Sequence, residues 1–359
     1  MMPQTPPIVI RKENVMRHLL KATVCAIHFC LLAAPVAAIG DDKVLNLYSA
    51  RHYQTDEALY AGFTRQTGIK INRIEGGDDP LFERIRNEGA NSPADIFITV
   101  DMGRLWRAEQ AGIFAPVKSK TLESRIPANY RDPDGRWFGF SARSRVIAYN
   151  KNTVKPGDIR NYEDLADPKW KGKICVRSSG HPYMLSLTAS MVSHLGEARA
   201  EQWVNGLKDN LARDPMGGDT DQIKAVAAGE CELALANTYY LVRLLRSAKP
   251  ADRKMMEKIG VIWPNQDNRG AHMNISGGGM LKHAPNKAAS VKFLEYLASD
   301  EAQAYFADGN NEWPVVATVK VRNPELESLG KFKADQLHVS ELGKNQPVAL
   351  RISDRAGYK

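Results

Sequence analysis

Four tyrosines stand where an apolar, strand-like run gives way to a helix-like one. Tyr53 lies in "SARHYQTD", Tyr183 in "SSGHPYM", and Tyr239 and Tyr240 open "NTYYLVR". Adjacent residues on a helix point about 100° apart, so Tyr239 and Tyr240 cannot share one narrow apolar stripe. A phenol has an ordinary pKa of about 10 and ionises near neutrality only with help. A helix N-terminus, with roughly half a positive charge, gives some. A bound trivalent cation gives more, because metal binding displaces the ligand's proton. Phenolate is a hard oxygen ligand suited to Fe(III), and tyrosine also ligates haem iron in catalase. Four phenolates around Fe(III) leave one net negative charge, which Arg143 and Arg243 can balance, and His52 is a candidate fifth ligand. A lone loop tyrosine is ordinarily a half-buried amphipathic side chain. Recurrence in three loops points instead to a cation site of anionic oxygens, and the residues alone leave the metal open.

The elements that must position these loops alternate. "VLNLYSA" (44–50), "IKINRI" (69–74) and "DIFITV" (95–100) read as strands, separated by amphipathic helices that end at Gly68, Gly89 and Gly112. Thr55 or Asp56 caps the first of these helices. This βαβαβα run predicts a mainly parallel sheet with helices on both faces. A second alternation follows "SRVIAYN" (144–150). "GKICVR" (172–177) leads to a helix with Pro182 at its first position, and "ELALAN" leads to a helix capped by Thr238. "IGVIWP" (259–264) is another strand. "NISGGGM" (274–280) carries too many glycines for an ordinary strand interior and predicts a bulge or a close backbone approach. Two α/β units joined near 141–149 and 259–280 make two lobes with at least two crossings, a hinge suited to closure around a ligand. Ligands in open α/β sheets bind beyond the carboxyl ends of the strands, where the tyrosine loops lie.

Composition narrows the class. The 359 residues suffice for about two domains. The first 38 have a secretory signal's layout: Arg11, Lys12, Arg17 and Lys21, then an apolar stretch, then Val36-Ala37-Ala38 as cleavage site. Removing them takes four Lys/Arg and one glutamate and lowers the net charge from +8 to +5. No dense basic run interleaved with aromatics is present, which argues against nucleic-acid binding. Cys25 and Cys30 leave with the signal. Cys175 and Cys231 remain, and either a disulfide or two buried thiols is compatible with an oxidising compartment. No G-x-S-x-G, P-loop, HExxH or paired-cysteine motif occurs, so the chain reads as a binding protein rather than an enzyme.

At the tyrosines the chain resembles the periplasmic ferric-ion-binding proteins, the substrate-binding components of iron ABC importers. The resemblance rests on "YSARHYQTDEALYAGFTRQTGIKI", "SPADIFITVDMGRL", "RVIAYN", "YEDLADPKWKGKICVRSSGHPY", "GECELALANTYYLVR" and "RGAHMNISGGGM", in order, from 44 to about 318. It implies an α/β, two-lobed type II periplasmic binding protein, monomeric, that carries Fe(III) to a membrane permease. The implied lobes are 39–142 with 263–318 and 143–262 with 319–359, after a signal peptide of 1–38. Tyr53, Tyr183, Tyr239 and Tyr240 fall on the family's tyrosine ligand positions. His52 falls on a histidine that ligates in some members only, and Arg143 and Arg243 match arginines behind the ligands. Where another branch has a glutamate ligand, "ADIFITVD" places Val100, which cannot bind iron. That favours the tyrosine-rich site without an obligatory anion. The same fold holding a polyamine, thiamine or an oxyanion is the alternative.

Overall fold

The computed structural model describes residues 43–51 and 53–359. The signal-like segment and His52 lie outside the described residues.

The first half of the chain builds β1 (Val44–Ser49), α1 (Asp56–Thr67), β2 (Lys70–Glu75), α2 (Asp78–Glu88), β3 (Ile96–Val100), α3 (Met102–Gln110), α4 (Lys120–Arg125) and β4 (Phe138–Asn150). β5 (Ile174–Cys175), α5 (Pro182–Leu195), α6 (Glu197–Asp209), α7 (Asp219–Ala228), β6 (Leu233–Asn237), α8 (Thr238–Leu245), α9 (Pro250–Met256) and β7 (Ile259–Ile262) follow. The chain then forms β8 (Met273–Met280), α10 (Lys287–Leu297), α11 (Asp300–Asp308), β9 (Trp313–Pro314), α12 (Pro324–Glu327), α13 (Ser340–Lys344) and α14 (Gln346–Ala356).

The strands run in the order β2-β1-β3-β8-β4-β6-β5, with β7 and β9 also on β4. The βα units pair in parallel: β1 with β2 and β3, and β5 with β6. β4, β7 and β8 run antiparallel to the strands they pair with. β4 is the spine. Its first half pairs with β8, its second half with β6 and β7, and all thirteen residues are buried. Such a strand has no solvent face, so its polar residues must find partners inside: Ser141 bonds Glu312, Arg143 bonds Ser276, and Arg145 bonds Asp219.

The glycines of β8 have the cause the sequence predicts. A Cβ on Gly277 would meet the Phe138 carbonyl oxygen at 2.4 Å, and one on Gly278 the Phe97 carbonyl oxygen at 2.4 Å. β8 lies between two backbones, and only glycine admits that approach.

One apolar core surrounds β1, β3 and β8, with Phe63, Phe97, Trp137 and Phe293 among its enclosed side chains. A second lies under α5 and α6 and a third under α7 and α8. The stretch after α12 serves two cores: Val339 and Leu342 join the first, Ile352 and Tyr358 the second. Asp101 ties α3 to α5 and β8. Its φ is 83°, it caps α3 through the Gly103 N–H, and its Oδ2 accepts from Ser186 Oγ on α5 at 2.8 Å and Asn274 Nδ2 on β8 at 2.9 Å. Holding a non-glycine residue there costs on the order of 1–3 kcal/mol, which these bonds offset.

Cys175 and Cys231 are paired in the structure with Cα atoms 5.8 Å apart, inside the usual range of about 4.4–6.8 Å. They join the edge strand β5 to the turn before β6.

Candidate metal centre

Each tyrosine loop is set by its own local chemistry. α5 starts at Pro182, which lacks only an N–H that the first turn would leave unbonded. His181 caps it, Nδ1 accepting from the Tyr183 N–H at 3.2 Å. Burial pushes the His181 pKa down to about 3, so the ring stays neutral and keeps that acceptor. α8 begins one residue earlier than the Thr238 cap predicts. Asn237 is the cap residue, and Thr238 is already helical. The Thr238 hydroxyl accepts from the Ser144 N–H at 3.4 Å instead, because β4 passes alongside and offers a donor.

The three loops meet. The hydroxyls of Tyr183 and Tyr239 are 2.9 Å apart. The Tyr53 ring packs edge-on to Tyr239 with centroids 6.1 Å apart, and Tyr240 lies against Tyr239 at 4.4 Å. Tyr53, Tyr183 and Tyr239 are buried, and Tyr240 is half-buried. Tyr240 also packs against the core under α8, and the two rings lie together at the N-terminus of that helix.

Arg143 stands behind this cluster, 1 % exposed, its Cζ 5.9 Å from the Tyr183 ring centroid. Nη1 donates to Ser276 Oγ at 2.6 Å, while Nε and Nη2 have no hydrogen-bond partner among the described residues. Arg243 is different. Its Cζ lies 5.2 Å from the Tyr240 ring centroid and 5.7 Å from that of Tyr239, but the side chain is exposed.

Glu312, absent from the sequence expectation, is fully enclosed beside Tyr53. It accepts from Tyr53 Oη at 3.1 Å and Ser141 Oγ at 2.7 Å, and it faces Arg51 Nη2 at 3.4 Å and Arg143 Nη1 at 3.6 Å. Arg51 also pairs with Asp56 at 2.7 Å. Nothing in "GNNEWPV" distinguishes this glutamate from a surface residue. Only the fold brings it to two arginines.

All three buried phenols are held in their protonated form. For Tyr53 the cause is burial first, then the Glu312 charge and Tyr183, against Arg143 and Arg51. Burial is also the main cause at Tyr239, reinforced by Tyr183, Tyr53 and Tyr240. Tyr183 is pushed up to about 12 by burial, with Arg143 opposing. Each phenolate formed here would raise the cost of the next, so ionising them together calls for added positive charge. Among the described residues no group of three or more His, Cys, Asp or Glu side chains could hold a metal ion.

Residues 91–334 match the model of the bacterial extracellular solute-binding protein family. The chain belongs to that family. Among its relatives is iron uptake protein A1 of Synechocystis, 52% identical over 327 residues, 91% of each chain. A solved Trichodesmium protein, in complex with iron and citrate ligands, shares 56% identity with a TM-score of 0.85 over 88% of this chain and 100% of its own. The ferric binding protein from Campylobacter jejuni shares 44%, with a TM-score of 0.82 over 88% and 100%. These neighbours are two-lobed binding proteins, and this solute-binding protein has their α/β architecture. Among the described residues no helix is long and apolar enough to cross a membrane.

Proposed function

We propose that this solute-binding protein captures Fe(III) between its lobes through Tyr53, Tyr183, Tyr239 and Tyr240 and delivers it to the permease of an ABC transporter. The observation that carries the reading is the convergence of four phenols from three strand-to-helix loops, two of them in hydroxyl contact at 2.9 Å. Core packing alone gives no reason to bury three such hydroxyls together, and a trivalent cation does. Iron uptake and ferric binding by the relatives named above support the choice of metal.

In this mechanism the lobes are 39–142 with 263–318 and 143–262 with 319–359, the last stretch bridging them through α13. The second lobe offers Tyr183, Tyr239 and Tyr240. Fe(III) binds there and displaces the phenolic protons. Closure about β4 and the 263–272 connection adds Tyr53 from the first lobe, with or without His52. The closed shape is what the permease recognises. The protein acts as an exported monomer, its leader removed near Ala38.

The test is a titration of the purified protein with ferric citrate. A visible phenolate-to-iron charge-transfer band, removed by a strong chelator, is the expected result. The Tyr239→Phe/Tyr240→Phe double variant should lose the band and the binding. Nanomolar Fe(III) affinity in that variant would sink the tyrosine assignment.

A further inference from the structure

Behind the second-lobe tyrosines lies a buried charge network that the ligand set does not include. Asp219, at the start of α7, is fully enclosed. Its Oδ1 accepts from Arg177 Nη1 at 3.2 Å. Its Oδ2 accepts from Arg145 Nη1 at 3.1 Å and from the Asn237 N–H at 2.8 Å. Arg145 is 1 % exposed and also donates to Asn237 Oδ1 at 3.1 Å and contacts Met184 Sδ at 3.4 Å. Asn237 caps α8, and Met184 follows Tyr183 in α5. One carboxylate thus braces the starts of both tyrosine-bearing helices.

The network is also unbalanced. Two guanidinium groups share one carboxylate, leaving one net positive charge in a water-poor site. Arg177 Nε and Arg145 Nε have no hydrogen-bond partner among the described residues. Two such orphaned donors are costly unless a negative charge arrives nearby. Arg177 is the nearer of the two to a phenol: its Cζ lies 5.1 Å from the Tyr183 ring centroid, closer than Arg143 at 5.9 Å. Its side chain is 13% exposed, whereas Arg243 is open to solvent, where its field is screened. The Arg177 backbone is fixed as well, its carbonyl accepting from Tyr358 Oη at 2.8 Å.

We infer that Arg177, held by Asp219, is a positioning residue that sets Tyr183 against Tyr239 and supplies the buried positive charge offsetting the excess negative charge of the four phenolates on Fe(III). The inference rests on the ferric reading above. A unit charge a few ångströms from a phenolate, at the effective dielectric of such sites, changes the binding constant by about tenfold or more.

Two variants test it. Arg177→Gln keeps a donor toward Asp219 and loses the charge, and Arg177→Lys keeps the charge. Both are titrated with ferric citrate, with apo melting curves as the control for folding. The glutamine variant should bind Fe(III) about tenfold or more weakly with a shifted charge-transfer band, and the lysine variant should remain near wild type in both. Wild-type affinity and band position in the glutamine variant overturn the inference. Equal losses in both variants also overturn it, because they mean a shape role without a charge role. Should the glutamine variant fail to fold, the lysine variant decides: a wild-type band supports the inference and loss of the band refutes it. A wild-type protein that binds no Fe(III) strikes the ferric reading itself.

Discussion

Replacing Glu312 by glutamine isolates the charge arrangement behind Tyr53. The side chain keeps its volume and one acceptor, so packing changes little and the loss is the charge itself. Arg51 survives that loss, because Asp56 accepts from its Nε at 2.7 Å and from its Nη2 at 3.3 Å. Arg143 does not. Among the described residues Glu312 is its only ion-pair partner within 4 Å, Ser276 accepts its one hydrogen bond, and Nε and Nη2 have no hydrogen-bond partner. The variant therefore leaves one enclosed cation uncompensated, which costs about 3–5 kcal/mol. For a chain of this size each kcal/mol moves the melting temperature by roughly 1.5 °C, so the apo protein should melt about 4–8 °C lower. The Fe(III)-loaded protein should lose distinctly less, because phenolates at Tyr53, Tyr183 and Tyr239 bring negative charge to the same arginine. Differential scanning fluorimetry of apo and loaded protein measures both shifts. An apo midpoint within about 2 °C of wild type refutes the charge reasoning. Equal drops in the two forms refute the placement of phenolates beside Arg143.

Three further outcomes follow from the same geometry. Because burial pushes Tyr183 up to about 12 and holds Tyr53 and Tyr239 well above the ordinary phenol value, metal must displace protons; the apparent Fe(III) affinity, at fixed free Fe(III), should rise about tenfold per pH unit for each proton released. A chelator-buffered titration from pH 6 to 8, in about half-unit steps, measures that slope, and a flat profile contradicts it. Gly278→Ala places a methyl 2.4 Å from the Phe97 carbonyl oxygen and should cost at least about 1–3 kcal/mol in urea unfolding by forcing β3 and β8 apart; unchanged stability would show that β8 can shift freely. Cys175 and Cys231 are 56 residues apart in sequence, and reducing that bridge should lower stability by about 2–4 kcal/mol; a reductant-insensitive unfolding midpoint would mean that the two residues act as thiols.

Much of the framework was legible in one dimension because it depends on local periodicity. Alternation located β1, strand-like runs located β3 and the second half of β4, and Gly68 ended its helix at φ 71°. Pro182 opened α5 as its missing N–H predicts. The phenols were legible because tyrosine twice over at a helix start conflicts with core packing. Thr238 was misread as the cap because a hydroxyl just before a helix has two outlets, and the passing Ser144 N–H was the better one.

What the sequence by itself determined is the set of strand-to-helix loops and the phenols they carry, since both follow from neighbours in the chain. Only the tertiary structure decided which charges accompany them. Glu312 comes to Tyr53 across 259 residues, Asp219 braces Arg177 and Arg145 across 42 and 74, and Arg243, one turn from Tyr239, faces solvent. A buried charge persists only where its partner is enclosed with it, and that enclosure is a property of packed elements rather than of sequence spacing.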